Sequence, residues 1–262
     1  MLVTGARGGS PAIRAHLIAK PERDPLVVNL NEVARDGTRV VRAYDWDMTK
    51  RVHLIVVSDD LHAFMHVHPV LGADGHFRLR LRLPHAGLYH LYYDGVAHGL
   101  GRQIFRFDLP VARPAVALAA RPLAPTSNLV RAGPYTVRIS RLTIPVGEPA
   151  LFHVEIRKNG KLATGLHPYL GAMGHGVLIG AADLSYLHVH AMDAMMMEMM
   201  GTDDCGDAVM SMMAPIPPDA PVSPKLQFLI AAPRAGAYKF WLQFRGGERN
   251  YVASWTLTAR SS

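Results

Sequence analysis

The chain is dominated by short segments in which hydrophobic and polar residues alternate. In Phe77–Leu83, for example, Arg78, Arg80 and Arg82 alternate with apolar residues, so one face of an extended segment is buried and the other meets water. Such segments recur along the chain between Gly, Pro and Asp residues, and long helical periodicity is absent outside one segment. The pattern predicts an all-β protein made of antiparallel β-sandwiches. The predicted strands are Leu26–Leu30, Val40–Tyr44, Val52–Val57, Ala63–His68, Phe77–Leu83, Gly87–Tyr93, Ile104–Leu109, Tyr135–Ser140, Ala150–Arg157, Val177–Gly180, Ser185–His190, Leu226–Ile230, Gly236–Phe244 and Tyr251–Thr258.

The chain also contains an internal repeat. Each copy carries three histidines, the second and third lying 13 and 15 positions after the first. They are His53, His66 and His68 in the first copy and His175, His188 and His190 in the second. A later motif repeats as well, since Pro84–Tyr89 and Pro233–Tyr238 share their Pro, Ala, Gly and Tyr positions. Two matches in the same order indicate a duplication.

The repeat predicts two tandem sandwich domains, residues 24–110 and residues 133–260. Residues 111–132 are rich in Pro and Ala and are predicted to form a linker, while residues 1–23 are predicted to be a flexible N-terminal segment. The second copy is longer between its last histidine and the Pro-Arg-Ala-Gly motif. This difference places an insertion at residues 191–220.

The histidine spacing favours metal binding. A His-X-His sequence on a strand presents both imidazoles on one face, and neighbouring strands are only about 4.8 Å apart. A hairpin would place His53 opposite residues 66–68, where three imidazoles can share an ion at bond lengths of ~2 Å, provided that His53 faces a histidine rather than Val67. The second copy predicts the same arrangement. Three imidazoles without a nearby thiolate or carboxylate suit Cu(II) or Zn(II).

An alternative interpretation needs no metal. Buried imidazoles that hydrogen-bond to the backbone or to each other would also hold the hairpin together. His90, His98 and His167 are candidate fourth ligands, although isolated histidines are more often surface or turn residues. The sequence leaves open whether the triads form two separate sites or one site between the domains.

The insertion at residues 191–220 is rich in sulfur. It holds nine of the 13 methionines and the single cysteine of the chain, and these soft donors favour Cu(I). The predicted sulfur ligands are Met195, Met196, Met199, Met200 and Cys205. Met192 and these four methionines also have the spacing of an amphipathic helix, so the segment can equally be a helical flap that covers a sandwich edge. The same segment could both bind Cu(I) and cover the sandwich edge.

The histidine motifs resemble those of an exported bacterial group of tandem immunoglobulin-like proteins, similar to the YtkA-like domains, that often accompany heavy-metal handling. The matching motifs are His53–Leu61, Phe64–Pro69, Pro168–His175 and Asp183–His190. The resemblance implies two tandem immunoglobulin-like domains, export to the periplasm or cell surface, and the six histidines as motif positions.

This sequence departs from the resembling group in two ways. Met1–Lys20 lacks the apolar core of an export signal. Ala191 stands where the first copy has Pro69, directly before the insertion, so a specialised second site is expected.

The composition narrows the function classes. The hydrophobic share of 49% with 19% charged residues predicts a folded protein, and no apolar run reaches the roughly 20 residues of a transmembrane segment. The net charge of +7 comes largely from dispersed arginines without interleaved aromatic residues, which disfavours a nucleic-acid partner. The single cysteine excludes an internal disulfide. No P-loop, HExxH, Gly-x-Ser-x-Gly or CxxC motif occurs, so we expect no enzymatic activity.

The sequence therefore predicts a non-enzymatic protein that binds a metal ion, copper as Cu(I) or Cu(II) with zinc as the other candidate. Its role would be sequestration, or delivery to a metal-handling protein partner. The alternative hypothesis is a protein–protein interaction module with structural histidines and a Met-rich docking flap. A copper oxidoreductase is disfavoured, because Cys205 lacks the neighbouring histidine spacing of a blue-copper centre.

Overall fold

The computed structural model describes residues 2–3, 12–19, 25–111, 122–192 and 214–261 of the chain. The chain divides into two compact units, residues 1–122 and residues 123–262. The regular structure in the described ranges consists of β-strands, and those ranges contain no helix. The predicted all-β class is therefore confirmed.

The first unit is built from two antiparallel sheets. Its described strands are β1 (Leu2–Val3), β2 (Ile13–Ala19), β3 (Leu26–Ala34), β4 (Tyr44–Asp45), β5 (Val52–Ser58), β6 (Phe64–Val67), β7 (Val70–Leu71), β8 (Phe77–Leu81), β9 (Gly87–Ala97) and β10 (Gly101–Val111). One sheet has the order β1-β2-β3-β8-β7, and the other has the order β10-β9-β5-β6 with β4 paired to β9. The first histidine triad lies on β5, on β6 and directly after β6.

The second unit repeats this plan. Its described strands are β11 (Leu129–Ala132), β12 (Tyr135–Ile139), β13 (Thr143–Pro145), β14 (Ala150–Lys158), β15 (Lys161–Leu162), β16 (Leu166–His167), β17 (His175–Gly180), β18 (Tyr186–His190), β19 (Lys225–Ile230), β20 (Gly236–Gly246) and β21 (Arg249–Arg260). One sheet has the order β11-β12-β14-β15 with β19 paired to β14, and the other has the order β13-β21-β20-β17-β18 with β16 paired to β20. Only the β13–β21 pairing is parallel among the described ladders. The second triad lies on β17 and β18.

Each unit has one hydrophobic core to which both of its sheets contribute. In the first unit Leu17 from one sheet and Phe105 from the other are almost fully buried. In the second unit Phe152 and Trp255, from opposite sheets, are fully buried. Full burial of such a side chain is favourable by about 1.5–3 kcal/mol. These cores hold the strands that carry the histidines in a fixed register.

A tyrosine fixes the same corner in both units. In the first unit the hydroxyl of Tyr89 donates to the backbone oxygen of His85 at 3.0 Å. In the second, Tyr238 donates to the backbone oxygen of Arg234 at 2.9 Å. Both tyrosines are the last residue of the repeated Pro-X-Ala-Gly-X-Tyr motif, so the shared sequence corresponds to a shared contact.

Two segments differ from the predicted organisation. Within the segment predicted to be flexible, residues 1–23, Ile13–Ala19 pairs along its whole length with β3, because its alternate side chains are buried in the core. Within the predicted linker, residues 111–132, Leu129–Ala132 forms a strand paired with β12. Residues 112–121 of that linker lie outside the described residues.

Most of the Met-rich insertion also lies outside the described residues, including the predicted ligands Met195, Met196, Met199, Met200 and Cys205 and the predicted helical flap. At its start, Met192 is 3% exposed and forms an isolated bridge with Gln227. In the described ranges, no helix has the length and apolar character needed to span a membrane.

Candidate metal centres

The strand register brings each histidine triad onto one face of a sheet. In the first unit Ile55 lies opposite His66, and continuing this ladder places His53 opposite His68. In the second unit His175 lies opposite His190 directly. Facing residues of an antiparallel pair share a face. The condition on which the predicted convergence depended, that His53 faces a histidine rather than Val67, is therefore met.

In the first unit the ring nitrogens of the three histidines converge. His53 Nδ1 lies 2.8 Å from His66 Nε2, and His68 Nε2 lies 3.2 Å from the same atom. The three ring centroids are 4.7–5.1 Å apart. His53 is fully buried and His66 is 7% exposed, so the nitrogens meet inside the protein.

The second unit repeats this geometry. His175 Nδ1 lies 3.2 Å from His188 Nε2. The ring of His190 has its centroid 4.6 Å from that of His175 and 4.9 Å from that of His188. All three side chains are at most 9% exposed.

These separations suit a shared ion. Two imidazole nitrogens bound at 2.0–2.1 Å to a tetrahedral metal lie about 3.3 Å apart. The 3.2 Å separations need almost no adjustment, and the 2.8 Å separation needs a small opening. The buried pair His53 and His66 thus has the donors and spacing to hold a metal ion, as does the buried pair His175 and His188.

A backbone carbonyl orients the first histidine of each triad. His53 Nε2 donates to the backbone oxygen of Asp47 at 3.4 Å, and His175 Nε2 donates to that of Tyr169 at 2.8 Å. Because a carbonyl only accepts, Nε2 carries the proton and Nδ1 keeps its lone pair for the other histidines. Histidine ligands of metals commonly hold their second nitrogen in this way.

The third histidine of the first unit is held neutral. Burial, with a smaller contribution from Lys50, lowers the pKa of His68 to about 4. Its ring is therefore uncharged at neutral pH, which is the state that binds metal.

The two triads have different surroundings. Asp47 is 2% exposed, and its carboxylate Oδ2 lies 3.8 Å from His53 Nε2. Arg102 Nη1 contacts Asp47 Oδ2 at 2.9 Å and Asp94 Oδ1 at 2.6 Å. Asp94 itself lies opposite His53 on β9. The first triad therefore borders a buried ionic cluster.

The second triad has neutral residues at the corresponding positions. Tyr169 takes the place of Asp47, since both precede their histidine by six residues and offer it a carbonyl. Gln243 takes the place of Asp94, opposite His175. Asn250 takes the place of Arg102. Each lies on the last strand of its unit, opposite the residue two positions after Asp94 or Gln243. Sequence reasoning missed all six positions, although extending the repeat upstream of the first histidine would have identified Asp47 and Tyr169.

Two of the three candidate fourth ligands, His90 and His98, contact carboxylates instead of the triads. His90 Nδ1 contacts Asp108 Oδ1 at 2.7 Å, and its Nε2 contacts Asp59 Oδ1 at 3.0 Å. His98 Nδ1 contacts Asp45 Oδ1 at 2.7 Å, with its side chain 69% exposed. His167 lies on β16 opposite Arg245.

The chain was also compared with known proteins. The family described as a domain of unknown function, DUF8832, matches residues 24–112 and residues 130–261. These two segments fall one in each compact unit and together cover most of the chain. Among curated proteins the comparison finds no match. The chain belongs to the DUF8832 family.

Proposed function

We propose that the protein binds copper through its two histidine triads and sequesters or delivers it without catalysing a reaction. One observation carries the proposal. In both units, imidazole nitrogens of residues 13 positions apart converge to 2.8–3.2 Å, while the other ring nitrogen of the first histidine is held by a carbonyl. Lone pairs that meet at this distance need a proton or a metal ion between them.

Copper fits this donor set best. Imidazole is a good ligand for Cu and Zn, and Cu(II) binds most tightly of the divalent first-row ions at a given nitrogen site. Cu(I) also accepts imidazole, and the sulfur-rich residues 191–220 would supply the soft donors that it prefers. Zinc is the alternative ion.

The finer fold and the location form part of the same proposal. We take each unit as an immunoglobulin-like sandwich, supported by its two sheets around one core and by Tyr89 and Tyr238, which resemble the tyrosine corner of such domains. Export to the periplasm or cell surface, where a metal-handling protein would be the partner, rests on the motif resemblance alone.

The test is a metal titration of the full chain. Purified protein is titrated with Cu(I), held by a competing chromophoric chelator under anaerobic conditions, and separately with Cu(II) and Zn(II). We expect His66→Ala with His68→Ala to remove the binding of the first unit and His188→Ala with His190→Ala that of the second. Bound metal also stabilises the fold, by about 2.7 kcal/mol at a hundredfold excess over Kd. The wild type should therefore unfold at a higher temperature when copper is present.

A matched control removes two other histidines of the first unit. His62 lies in the β5–β6 turn and His98 is exposed, so His62→Ala with His98→Ala should leave the titration unchanged. Circular dichroism checks that each variant is folded. If the triad variants bind as much metal as the wild type, the triads are hydrogen-bonded structural elements and the interaction-module hypothesis takes precedence.

A further inference from the structure

We infer that the two triads differ in their preference for the charge of the ion: the first favours a divalent ion over Cu(I) more strongly than the second does. Asp47 is the residue that determines this difference. The inference rests on the proposed function, because it assigns a preference to each of the proposed sites.

Asp47 offers the first triad a carboxylate that the second triad does not have. Its backbone oxygen lies 3.4 Å from His53 Nε2 and its carboxylate Oδ2 lies 3.8 Å from the same atom. Tyr169 occupies the corresponding position and offers His175 its backbone oxygen, with its ring edge-on to the imidazole at a centroid distance of 5.3 Å. The replacement therefore keeps the carbonyl and removes the charge.

The surrounding residues hold Asp47 in place. Arg102 contacts both Asp47 and Asp94, and both carboxylates are at most 2% exposed. Asp94 is fixed by its position on β9 opposite His53. A carboxylate held by a guanidinium inside the protein cannot turn away into solvent. The second unit has no such clamp among the corresponding residues, since Gln243 and Asn250 are neutral.

Net charge alone does not separate the two sites. Arg102 and the nearby Lys50, which lowers the pKa of His68, offset the two carboxylates in number. The difference lies in position, because Asp47 faces the proton-bearing nitrogen of the histidine whose other nitrogen points at the ion site. A carboxylate at that position makes the imidazole a more basic metal ligand. Mutation of residues that contact metal ligands in this way typically changes metal affinity 10–100-fold.

A divalent ion gains more from Asp47 than a monovalent one. The attraction between a carboxylate and a cation is proportional to the charge of the cation, so it is twice as large for Zn(II) or Cu(II) as for Cu(I). The first triad should therefore have a larger divalent-to-Cu(I) affinity ratio than the second.

The experiment isolates each triad in the full chain. His188→Ala with His190→Ala leaves the first triad, and His66→Ala with His68→Ala leaves the second. Both proteins are titrated with Zn(II) and with Cu(I) under a competing chelator. We expect a larger Zn(II)-to-Cu(I) affinity ratio for the first triad. Adding Asp47→Asn to it should weaken Zn(II) binding 10–100-fold and Cu(I) binding much less.

Two further variants complete the test. Asp45→Asn, two residues away and paired with exposed His98, should leave both affinities unchanged. Tyr169→Asp, added to the protein that retains the second triad, should raise its Zn(II)-to-Cu(I) ratio, which tests the inference even if Asp47→Asn fails to fold. Equal ratios for the two triads, or equal losses for both ions in Asp47→Asn, would overturn the inference. Absence of binding in both single-triad proteins and in the wild type would instead refute the proposed function.

Discussion

The two units share a scaffold but fill its core with different chemistry. Strand register defines the corresponding positions: Leu30 faces Phe77 in the first unit, as Val154 faces Leu226 in the second. Two residues further along each strand, the first unit has Glu32 and the second has Ile156. The neighbouring core positions likewise carry polar groups in the first unit and aliphatic side chains in the second. Tyr44 and Tyr93 of the first unit correspond to Leu166 and Leu242 of the second.

This difference makes the core of the first unit titratable. Glu32 is fully buried, and burial raises the pKa of its carboxyl group to about 7, although the hydroxyls of Tyr44 and Tyr93 lie near enough to lower that pKa in part. Among the described residues neither carboxyl oxygen has a hydrogen bond of good geometry. The proximity of the hydroxyls therefore offsets only part of the burial cost. One β-scaffold therefore tolerates a buried acid in one copy and an aliphatic residue in the other.

Moving the acid into the second core should have the largest effect on stability. Ile156→Glu places a carboxyl group among aliphatic residues, without the two hydroxyls that accompany Glu32. We expect a loss of about 3–5 kcal/mol in the stability of the second unit at pH 7, the range for an uncompensated buried charge. Hydrogen exchange of peptides from residues 123–262 measures it.

Ile156→Val is the matched control, because removing one methyl group typically costs about 0.5–1.5 kcal/mol. Peptides from residues 25–111 should be unaffected by either change. If Ile156→Glu cost no more than Ile156→Val, the second core would tolerate a carboxyl group and the two hydroxyls would have no compensating role.

Much of this fold follows from local sequence pattern. The predicted strands that alternate over five or more residues, such as Phe77–Leu83, are observed because alternation buries one face. The predicted strand Val40–Tyr44 is wrong, because the structure has only a bridge at Val40 and the short β4. Strands of two or three residues such as β7 and β16 carry no periodicity, so only tertiary pairing reveals them. Ile13–Ala19 does alternate, so this strand was predictable from the same pattern.

The candidate site was predictable in part for the same reason. The repeated spacing fixed which histidines meet, since a hairpin between two strands leaves few possible registers. The surroundings were not predictable in this way. Asp94 and Gln243 come from β9 and β20, which join the histidine strands only through sheet pairing distant in sequence. No spacing rule near the histidines contains that information.

The stability of the first unit should depend on pH through Glu32, whereas that of the second unit should not. The raised pKa of Glu32 means that the folded first unit binds a proton more tightly than the unfolded chain, whose pKa is 4.5. Its contribution is fully present below about pH 4.5 and is lost as the pH rises through 7, a decrease of about 3 kcal/mol. Glu32→Gln, which stays neutral, should remove this decrease and leave the first unit more stable than wild type at pH 8.

The measurement is hydrogen exchange of residues 25–111 from pH 4.5 to 8, corrected for the intrinsic exchange rate. Peptides of the second unit, whose corresponding residue is Ile156, serve as the internal reference. A wild type and a Glu32→Gln variant with parallel pH profiles would show that Glu32 does not titrate in this range.

Packing at Gly176 links the core of the second unit to its histidine triad. Gly176, next to His175, corresponds to the buried Leu54 of the first unit, since each follows the first histidine of its triad. A Cβ at Gly176 would lie 2.9 Å from Phe240 Cε2 and 2.9 Å from Val189 Cγ2. Gly176→Ala should therefore cost about 1–3 kcal/mol through overpacking. It should also weaken metal binding at the second triad alone, because a displaced β17 carries His175 with it.

A double variant decides whether overpacking is the cause. Val189 lies opposite Gly176 on β18 and is only partly buried, so Val189→Ala removes one of the two close contacts without creating a deep cavity. Gly176→Ala with Val189→Ala should then recover part of both the stability and the metal affinity, giving a cost below the sum of the single changes. Thermal melts and Zn(II) titration report the two quantities. Additive costs would mean that the contact with Val189 does not limit the space at position 176, and that overpacking against Val189 does not cause the loss of metal affinity.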